Sequence, residues 1–169
     1  MGDWSLRRLN NMKSITQFTL ITLLLAGFST LSHGHGNKND KPINPLFTGL
    51  ESKAAKVVTQ FHKALKTNDV KLANSLLSKD VLIYESGNAE RSSLKYVSGH
   101  MLADMRYLSS VQTELLEHQV KVNGDIAIST SQSKHTRSKT QKTKGSISME
   151  TIVVSKIDGE WLITHIHWS

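Results

Sequence analysis

The chain ends on a stretch that combines two imidazoles with large apolar side chains. Residues 160–168 are rich in β-branched and aromatic types, contain no Gly or Pro, and follow an Asp-Gly turn, which predicts a strand. Side chains alternate between the faces of a strand, so His165 and His167 are expected on one face together with Ile163. Two imidazoles in one cavity repel when both are charged, and a neutral imidazole is a general base or a hydrogen-bond partner. We therefore predict His165 and His167 as catalytic residues.

A second ionisable pair, His100 and Asp104, lies four residues apart in a stretch with helical periodicity. This spacing brings the two side chains together on adjacent helical turns, where the carboxylate can orient the imidazole as a general base. Tyr96 falls on the same stripe and is predicted to contact a ligand. The alternative is a helix-surface ion pair, which contributes less than about 1 kcal/mol.

Three further residues are predicted to bind a ligand. Tyr84 and Glu85 end a short predicted strand, and Glu150 lies among apolar residues of a later one. The strand register decides whether Glu150 faces the interior or the solvent, and this choice stays open. His118 alternates with apolar residues and is interpreted as a core residue.

The spacing of His165 and His167 also occurs in metal sites, and Glu85 or His100 would complete such a site. A divalent-metal site is therefore kept as an alternative. The chain has no cysteine, which excludes thiolate metal sites and cysteine nucleophiles. It also has no glycine-rich phosphate loop, nucleophile elbow or helical His-Glu-x-x-His motif, so no cofactor is predicted.

The elements that must position these residues change in period along the chain. Apolar residues follow a helical period at 50–66 and 70–77, where Asn68 or Asp69 caps the second helix, and again from a cap at Ser92-Ser93 to residue 108. Period-two patterns and turn residues predict a short strand and four long ones: 81–84, 111–122, 126–136, 146–157 and 160–168. Residues 139–145 are predicted to form a longer turn. This order indicates an α+β fold whose antiparallel sheet curls around the helices and leaves a cavity.

The first residues are predicted to be a targeting segment and not part of the domain. Positive charges precede an uncharged apolar run at 15–28 and a stretch of small residues, which is typical of a secretory signal peptide. We predict a signal peptide at 1–32, a flexible linker at 33–49 and one domain at 50–169, placed in the periplasm or secreted. After cleavage no membrane contact is expected, and the net charge falls from +7 to +5 (18 basic and 13 acidic residues remain). An exported chain of this charge is not expected to bind nucleic acid.

Several segments together resemble a known superfamily. They are residues 81–87, Glu90-Arg91-Ser92, the set Tyr96, His100 and Asp104, and the ending from Trp161 to Ser169. Over about residues 52–169 the chain resembles exported members of the nuclear transport factor 2-like superfamily, in its SnoaL-like or ketosteroid-isomerase-like branch. The resemblance implies a cone-shaped, cystatin-like roll in which a curved antiparallel sheet wraps around three helices. It also implies a pocket at the open end and, often, a dimer formed through the sheet.

The same resemblance implies that six residues line the pocket: Glu85, Tyr96, His100, Asp104, His165 and His167. Relatives tend to have a histidine where this chain has Gly99. The superfamily includes isomerases, cyclases, dehydratases and pure binding domains, so the fold does not determine the reaction.

The resulting hypothesis is an exported domain that binds a small, partly apolar molecule and forms a homodimer. If it is an enzyme, His100 oriented by Asp104 acts as the base of an isomerase- or lyase-like proton transfer, while His165, His167 and Tyr96 hold or polarise a substrate oxygen. Two alternatives stay open. One is a non-catalytic ligand-binding or dimeric assembly module, and the other is a divalent-metal-binding protein that uses His165 and His167.

Overall fold

The computed structural model describes residues 44–137 and 145–169. The predicted signal peptide, residues 33–43 of the predicted linker and most of the predicted turn at 139–145 lie outside the described residues. The elements, in chain order, are β1 (Phe47–Thr48), α1 (Lys53–Lys66), α2 (Val70–Ser75), β2 (Leu77–Glu85), β3 (Asn88–Glu90), α3 (Ser93–Ser98), α4 (Met101–Ser110), β4 (Val111–Asn123), β5 (Ile126–Arg137), β6 (Ser146–Ile157) and β7 (Glu160–Trp168). Within the described ranges, no helix has both the length and the apolar character that a membrane span requires.

All seven strands form one curved, open sheet in the order β1-β4-β5-β6-β7-β2-β3. Strands β4 to β7 are an antiparallel meander, as their alternating pattern and turn residues predict. Strand β2 is parallel to β7, and the short β3 is antiparallel to β2. The predicted α+β fold with a curved sheet around helices is confirmed, and the four long strands agree with their predicted bounds to within one residue.

Helix α1 covers the inner face of the sheet. It begins after the N-cap Ser52, whose hydroxyl accepts a hydrogen bond from the Ala55 backbone N–H at 3.1 Å. Its apolar stripe is fully buried at Val58, Phe61 and Leu65. Burial of each such side chain contributes about 1.5–3 kcal/mol, so this stripe fixes the helix on the sheet.

The predicted third helix is two helices. Helix α3 ends at Ser98, and α4 begins at Met101, with Gly99 and His100 between them. A Cβ atom at Gly99 would lie 3.0 Å from the carbonyl oxygen of Lys95, so a residue without a side chain suits the break. The sheet therefore surrounds four helices instead of three, and His100 is the N-cap residue of α4 instead of an interior helical residue.

The last part of the predicted linker belongs to the sheet. Strand β1 pairs in parallel with β4, with Phe47 opposite His118. Gly49 follows with a positive φ of 70°, and a Cβ atom there would lie 2.0 Å from the Val120 carbonyl oxygen. Only glycine allows this close approach of the chain to β4.

Strand β7 contains a β-bulge that changes which side chains face the core. Opposite β6, Val153 pairs with His165 and Val154 pairs with Ile163, so Thr164 is an extra residue without a partner. As a result, Ile163 and Ile166 are both fully buried although they are three residues apart. The prediction that Ile163 shares a face with His165 and His167 is therefore wrong, because it assumed unbroken alternation.

Candidate functional site

A cavity of about 780 Å³ lies between helices α1 and α4 and the inner face of strands β4 to β7. Nine Ser and Thr residues contribute to its lining, while Leu65, Leu108 and Leu115 supply apolar surface. The cavity is therefore partly apolar and partly rich in hydroxyl groups. Its volume suits a small organic molecule.

Glu150 on β6 is the centre of a polar cluster in the wall of this cavity, and it is only 8% exposed. Its Oε2 accepts a hydrogen bond from Trp168 Nε1 at 2.6 Å. The same oxygen lies 2.7 Å from His62 Nε2. Its Oε1 accepts a hydrogen bond from the Ser131 hydroxyl at 3.2 Å. The register explains the cluster, because Glu150 lies directly opposite Trp168 on β7 and Ser131 on β5.

The contact between His62 and Glu150 is an ion pair when the imidazole is protonated, and the surroundings of both groups favour that state. Burial alone lowers the pKa of His62, but the charge of Glu150 and the hydrogen bond to it prevail and raise the pKa above its usual value. Burial likewise raises the pKa of Glu150, but the charge of His62 and the hydrogen bonds from His62, Trp168 and Ser131 lower it overall. Both shifts favour the imidazolium and the carboxylate, which compensate each other's burial.

Two other histidines line the cavity, and their surroundings favour the neutral imidazole. His118 is 5% exposed, and its Nε2 lies 2.9 Å from the Ser129 hydroxyl. His135 has a hydroxyl at each ring nitrogen, Thr113 at 3.1 Å and Ser148 at 2.8 Å. Burial lowers the pKa of both histidines, and the charge of His62 lowers that of His118 further.

A second polar cluster lies at the α4 side of the cavity. The buried Tyr96 hydroxyl donates a hydrogen bond to Asp104 Oδ2 at 2.7 Å. His100 contacts Glu90 through its Nδ1, and this hydrogen bond raises the pKa of the exposed imidazole. The predicted hydrogen bond between His100 and Asp104 is therefore absent, because the break at Gly99 turns the imidazole toward Glu90.

Two carboxyl groups of this second cluster face the cavity. Burial raises the pKa of Asp104, although the hydrogen bond from Tyr96 opposes the change. Burial and the nearby charge of Asp104 raise the pKa of Glu85. A carboxyl group whose pKa is raised toward neutrality can both accept and return a proton.

The structure separates the predicted site residues into three sets. In the first set, Glu85, Asp104 and Glu150 line the cavity, and Tyr96 is connected to them by the hydrogen bond that its hydroxyl donates to Asp104. His100 is half exposed and is not part of the lining. The third set lies on the outer face of the sheet and consists of Tyr84, His165 and His167.

The outer-face residues form a small group of their own. The rings of Tyr84 and His165 are 5.8 Å apart, and Tyr84 lies opposite His167 in the register of β2 and β7. The neighbours Ile83 and Ile166 are fully buried on the inner face. The prediction that His165 and His167 line the cavity is therefore wrong, because the bulge at Thr164 places both outside.

The same placement bears on the alternative metal site. His165 and His167 lie on the opposite side of the sheet from Glu85, which faces the cavity. Within residues 44–137 and 145–169, no three His, Asp or Glu side chains are grouped so that they could hold a metal ion. The metal site predicted from His165, His167 and Glu85 or His100 is not assembled.

The sequence interpretation overlooked His62, whose imidazole contacts the most buried carboxylate of the cavity. A signal was present, because His62 follows Val58 by four residues and precedes Leu65 by three, and both are buried. This spacing places His62 at the edge of the apolar stripe of α1. Its partner could not be identified in the same way, since Glu150 is 88 residues away.

The fold and the sequence both match known proteins. The SnoaL-like domain family matches residues 54–169. A candidate ketosteroid isomerase from Shewanella frigidimarina NCIMB 400 is 45% identical, with a TM-score of 0.68 over 73% of this chain and 99% of that protein. No functionally curated protein matches this sequence.

More distant structures share the fold. A nuclear transport factor 2-like protein of unknown function from Pseudomonas putida KT2440 is 18% identical, with a TM-score of 0.62 over 72% of this chain and 87% of that protein. The association domain of CaMKII from C. elegans is 21% identical, with a TM-score of 0.56 over 68% of this chain and 90% of that domain. With the family match over most of the described residues, these findings show that the chain belongs to the SnoaL-like domain family of the nuclear transport factor 2-like superfamily.

Proposed function

We propose that this domain binds a small, partly apolar organic molecule in the cavity between its helices and its sheet. The observation that carries the proposal is the ion pair between His62 and Glu150, which lies in the cavity wall. A charged group in a cavity wall can bind a ligand only if part of its surface is open to the cavity. Here the His62 side chain keeps 38% of its surface exposed and lines the cavity, so it is available to a ligand.

A pair of adjacent positions on β6 provides the test. Ser148 lines the cavity, whereas its neighbour Met149 is 56% exposed and absent from the lining. We expect Ser148→Trp to fill the cavity and abolish binding of small aromatic compounds, as measured by ligand-observed NMR. Met149→Trp should leave that binding unchanged. Equal binding by both variants and the wild type would contradict a ligand site in this cavity.

Proton transfer is a second candidate function, and it is favoured by the raised pKa values of Asp104 and Glu85. Both carboxyl groups line the same cavity as His62. A substrate in contact with these groups would meet a proton acceptor in a carboxylate and a proton donor in the imidazolium of His62. In this proposal Asp104 and Glu85 take the role that the sequence assigned to His100, because His100 pairs with Glu90 and is not part of the cavity lining.

The 45% identical Shewanella protein, a candidate ketosteroid isomerase, makes allylic isomerisation the reaction to test. In that reaction a base moves a proton from the α to the γ carbon of a β,γ-unsaturated ketone, which can be followed by the absorbance of the conjugated product. We expect Asp104→Asn and Glu85→Gln to lower kcat at least about tenfold. His100→Gln should change it less than twofold. A wild-type rate equal to the buffer rate would contradict this activity without affecting ligand binding.

Export and dimer formation are proposals as well. The signal-peptide pattern at residues 1–32 supports export, and mass spectrometry of the mature N-terminus from a native host tests it. Exposed apolar side chains on the outer face of the sheet, Ile128 and Met149, support a homodimer. Light scattering of Met149→Asp beside the wild type tests the dimer, since only an interface residue would change the mass.

A further inference from the structure

We propose that the ligand carries an anionic oxygen of the carboxylate type, and that His62 binds this oxygen through its Nδ1–H group. This inference rests on the proposed function, because it names the ligand class of the same cavity. It also gives distinct roles to the two members of the ion pair. His62 contacts the ligand, and Glu150 positions His62.

The hydrogen bonds of the imidazole leave one nitrogen for a ligand. The Nε2 atom of His62 is engaged by Glu150 Oε2 at 2.7 Å. In the part of the chain that the structure describes, no side chain or backbone group is hydrogen-bonded to Nδ1. In the charged form of histidine both nitrogens carry hydrogen, so Nδ1 is a donor that a ligand oxygen can accept from.

Glu150 itself is not available to the ligand. Both of its oxygens are already engaged, by His62, Trp168 and Ser131, and the residue is 8% exposed. The indole of Trp168, which donates a hydrogen bond to Glu150, packs in turn against the ring of Tyr96, and the two ring centroids are 6.2 Å apart. Glu150 is thus a positioning residue that fixes the ring of His62 and favours its charged form.

The other ionisable groups of the cavity also favour an anion on the His62 side. Lys63 and Lys66 line the cavity from the same helix, α1. The histidines on the sheet wall, His118 on β4 and His135 on β5, have lowered pKa values and are therefore less readily charged than His62, whose pKa is raised.

The acidic groups lie elsewhere in the lining. Glu85 at the end of β2 and Asp104 on α4 belong to the second polar cluster. Raised pKa values weaken the repulsion that these two groups exert on an anion. A carboxylate next to His62 therefore gains a charge-assisted hydrogen bond, while a neutral oxygen at the same place gains a weaker one.

A matched pair of probes tests the inference by isothermal titration calorimetry. We use 2-naphthoate, which is anionic, and 2-naphthalenemethanol, which has the same ring system and a neutral hydroxyl. At pH 6 the wild type is expected to bind the carboxylate about tenfold more tightly. His62→Gln should remove this preference, whereas His167→Gln on the outer face should retain it.

The pH profile separates a direct contact from a merely structural effect. The carboxylate affinity of the wild type should fall as the pH rises through the pKa of His62, which lies above the ordinary 6.5. Glu150→Gln removes the charge that raises this pKa, so the midpoint of the profile should move to lower pH. The affinity for the neutral probe should be independent of pH in both proteins.

Each result has a clear meaning. Equal affinity for the two probes, or an unchanged preference in His62→Gln, overturns the inference and leaves the proposed binding function intact. An unchanged pH midpoint in Glu150→Gln overturns the positioning role of Glu150. If neither probe binds to the wild type, both the inference and the binding site it depends on are contradicted.

Discussion

The two faces of strand β7 differ in the residues they carry and in the environments that surround those residues. On the inner face, Ile163 and Ile166 are fully buried, and the Trp168 indole donates to the buried Glu150. On the outer face, His165 contacts the ring of Tyr84, and His167 is exposed. The two imidazoles, which have the more evident capacity for chemistry, thus lie on the side of the strand that faces away from the described cavity.

The comparison shows that the composition of a strand does not identify its functional face. Both imidazoles of the ending are outside, while a single tryptophan from the same strand reaches the cavity. The histidine that contacts the buried carboxylate of the cavity, His62, comes from a helix near the start of the domain. What distinguishes the inner site is a buried carboxylate that needs a partner, because an unpaired charge there would be costly.

The largest expected effect concerns the inner face itself. Ile166→Ala should lower the free energy of unfolding by about 3 kcal/mol, because it leaves a cavity in the packed core. His167→Ala, one residue away on the outer face, should change it by no more than about 0.5 kcal/mol. Urea denaturation measures both values. A larger loss for His167→Ala than for Ile166→Ala would show that Ile166 does not face the core and that His167 does not face outward.

Next in size is the loss of the buried ion pair. Glu150→Gln should destabilise the fold by about 2 kcal/mol, because His62 loses its partner and burial then opposes its charge. Glu160→Gln on β7 is the matched control, since Glu160 is exposed. Its effect should remain within about 0.5 kcal/mol. Similar values for the two variants would mean that the cavity cluster contributes no more than a surface charge.

A smaller effect is expected at the second polar cluster. Tyr96→Phe removes the hydrogen bond to Asp104 and should cost about 1 kcal/mol, since the ring and its packing remain. Tyr84→Phe on the outer face should be neutral, because the structure shows no hydrogen bond from its hydroxyl to the described residues. Thermal unfolding of the two variants compares them directly. An equal loss would remove the distinction between the inner and outer tyrosines.

The pH dependence of the ion pair gives the finest comparison. The raised pKa of His62 means that its contribution to stability is complete below 6.5 and is lost as the pH rises through the raised value. The lowered pKa of Glu150 means that its contribution is complete above 4.5 and is lost as the pH falls through the lowered value. The pair should therefore stabilise the fold most between pH 4.5 and 6.5.

The difference in unfolding free energy between the wild type and Glu150→Gln measures this contribution, because the remaining histidines titrate in both proteins. It should be larger at pH 5.5 than at pH 3.5 or 8.5. A difference that is constant across these three values would show that the pair is not ionic.

The sequence predicted most of the fold because its signals are local. Alternation, turn residues and helix caps depend on neighbours within a few positions, and they located the four long strands of the meander and the start of α2 at its Asp69 cap. The same signals failed where a single residue changes the local geometry. Gly99 divides one predicted helix into two, and Thr164 reverses the faces of β7.

The candidate site was predicted only in part for a related reason. Glu85 was identified at the end of a predicted strand, Asp104 by its spacing from His100 and Glu150 by its apolar neighbours, and all three line the cavity. Their partners are contacts across the sheet or between helix and sheet. No periodicity in the sequence reports that His62 meets Glu150, or that Glu90 and not Asp104 holds His100.

By itself the sequence determined the class of the fold, the order of its longer helices and strands and the presence of ionisable residues near an apolar interior. Only the tertiary structure decided which of those residues share a cavity. The physical reason is that successive side chains of a strand point to opposite faces of the sheet. One inserted residue in β7 therefore moves the side chain of every later residue of that strand to the other face. The partner of a buried charge is likewise set by the register of neighbouring strands and helices, which no local stretch of sequence contains.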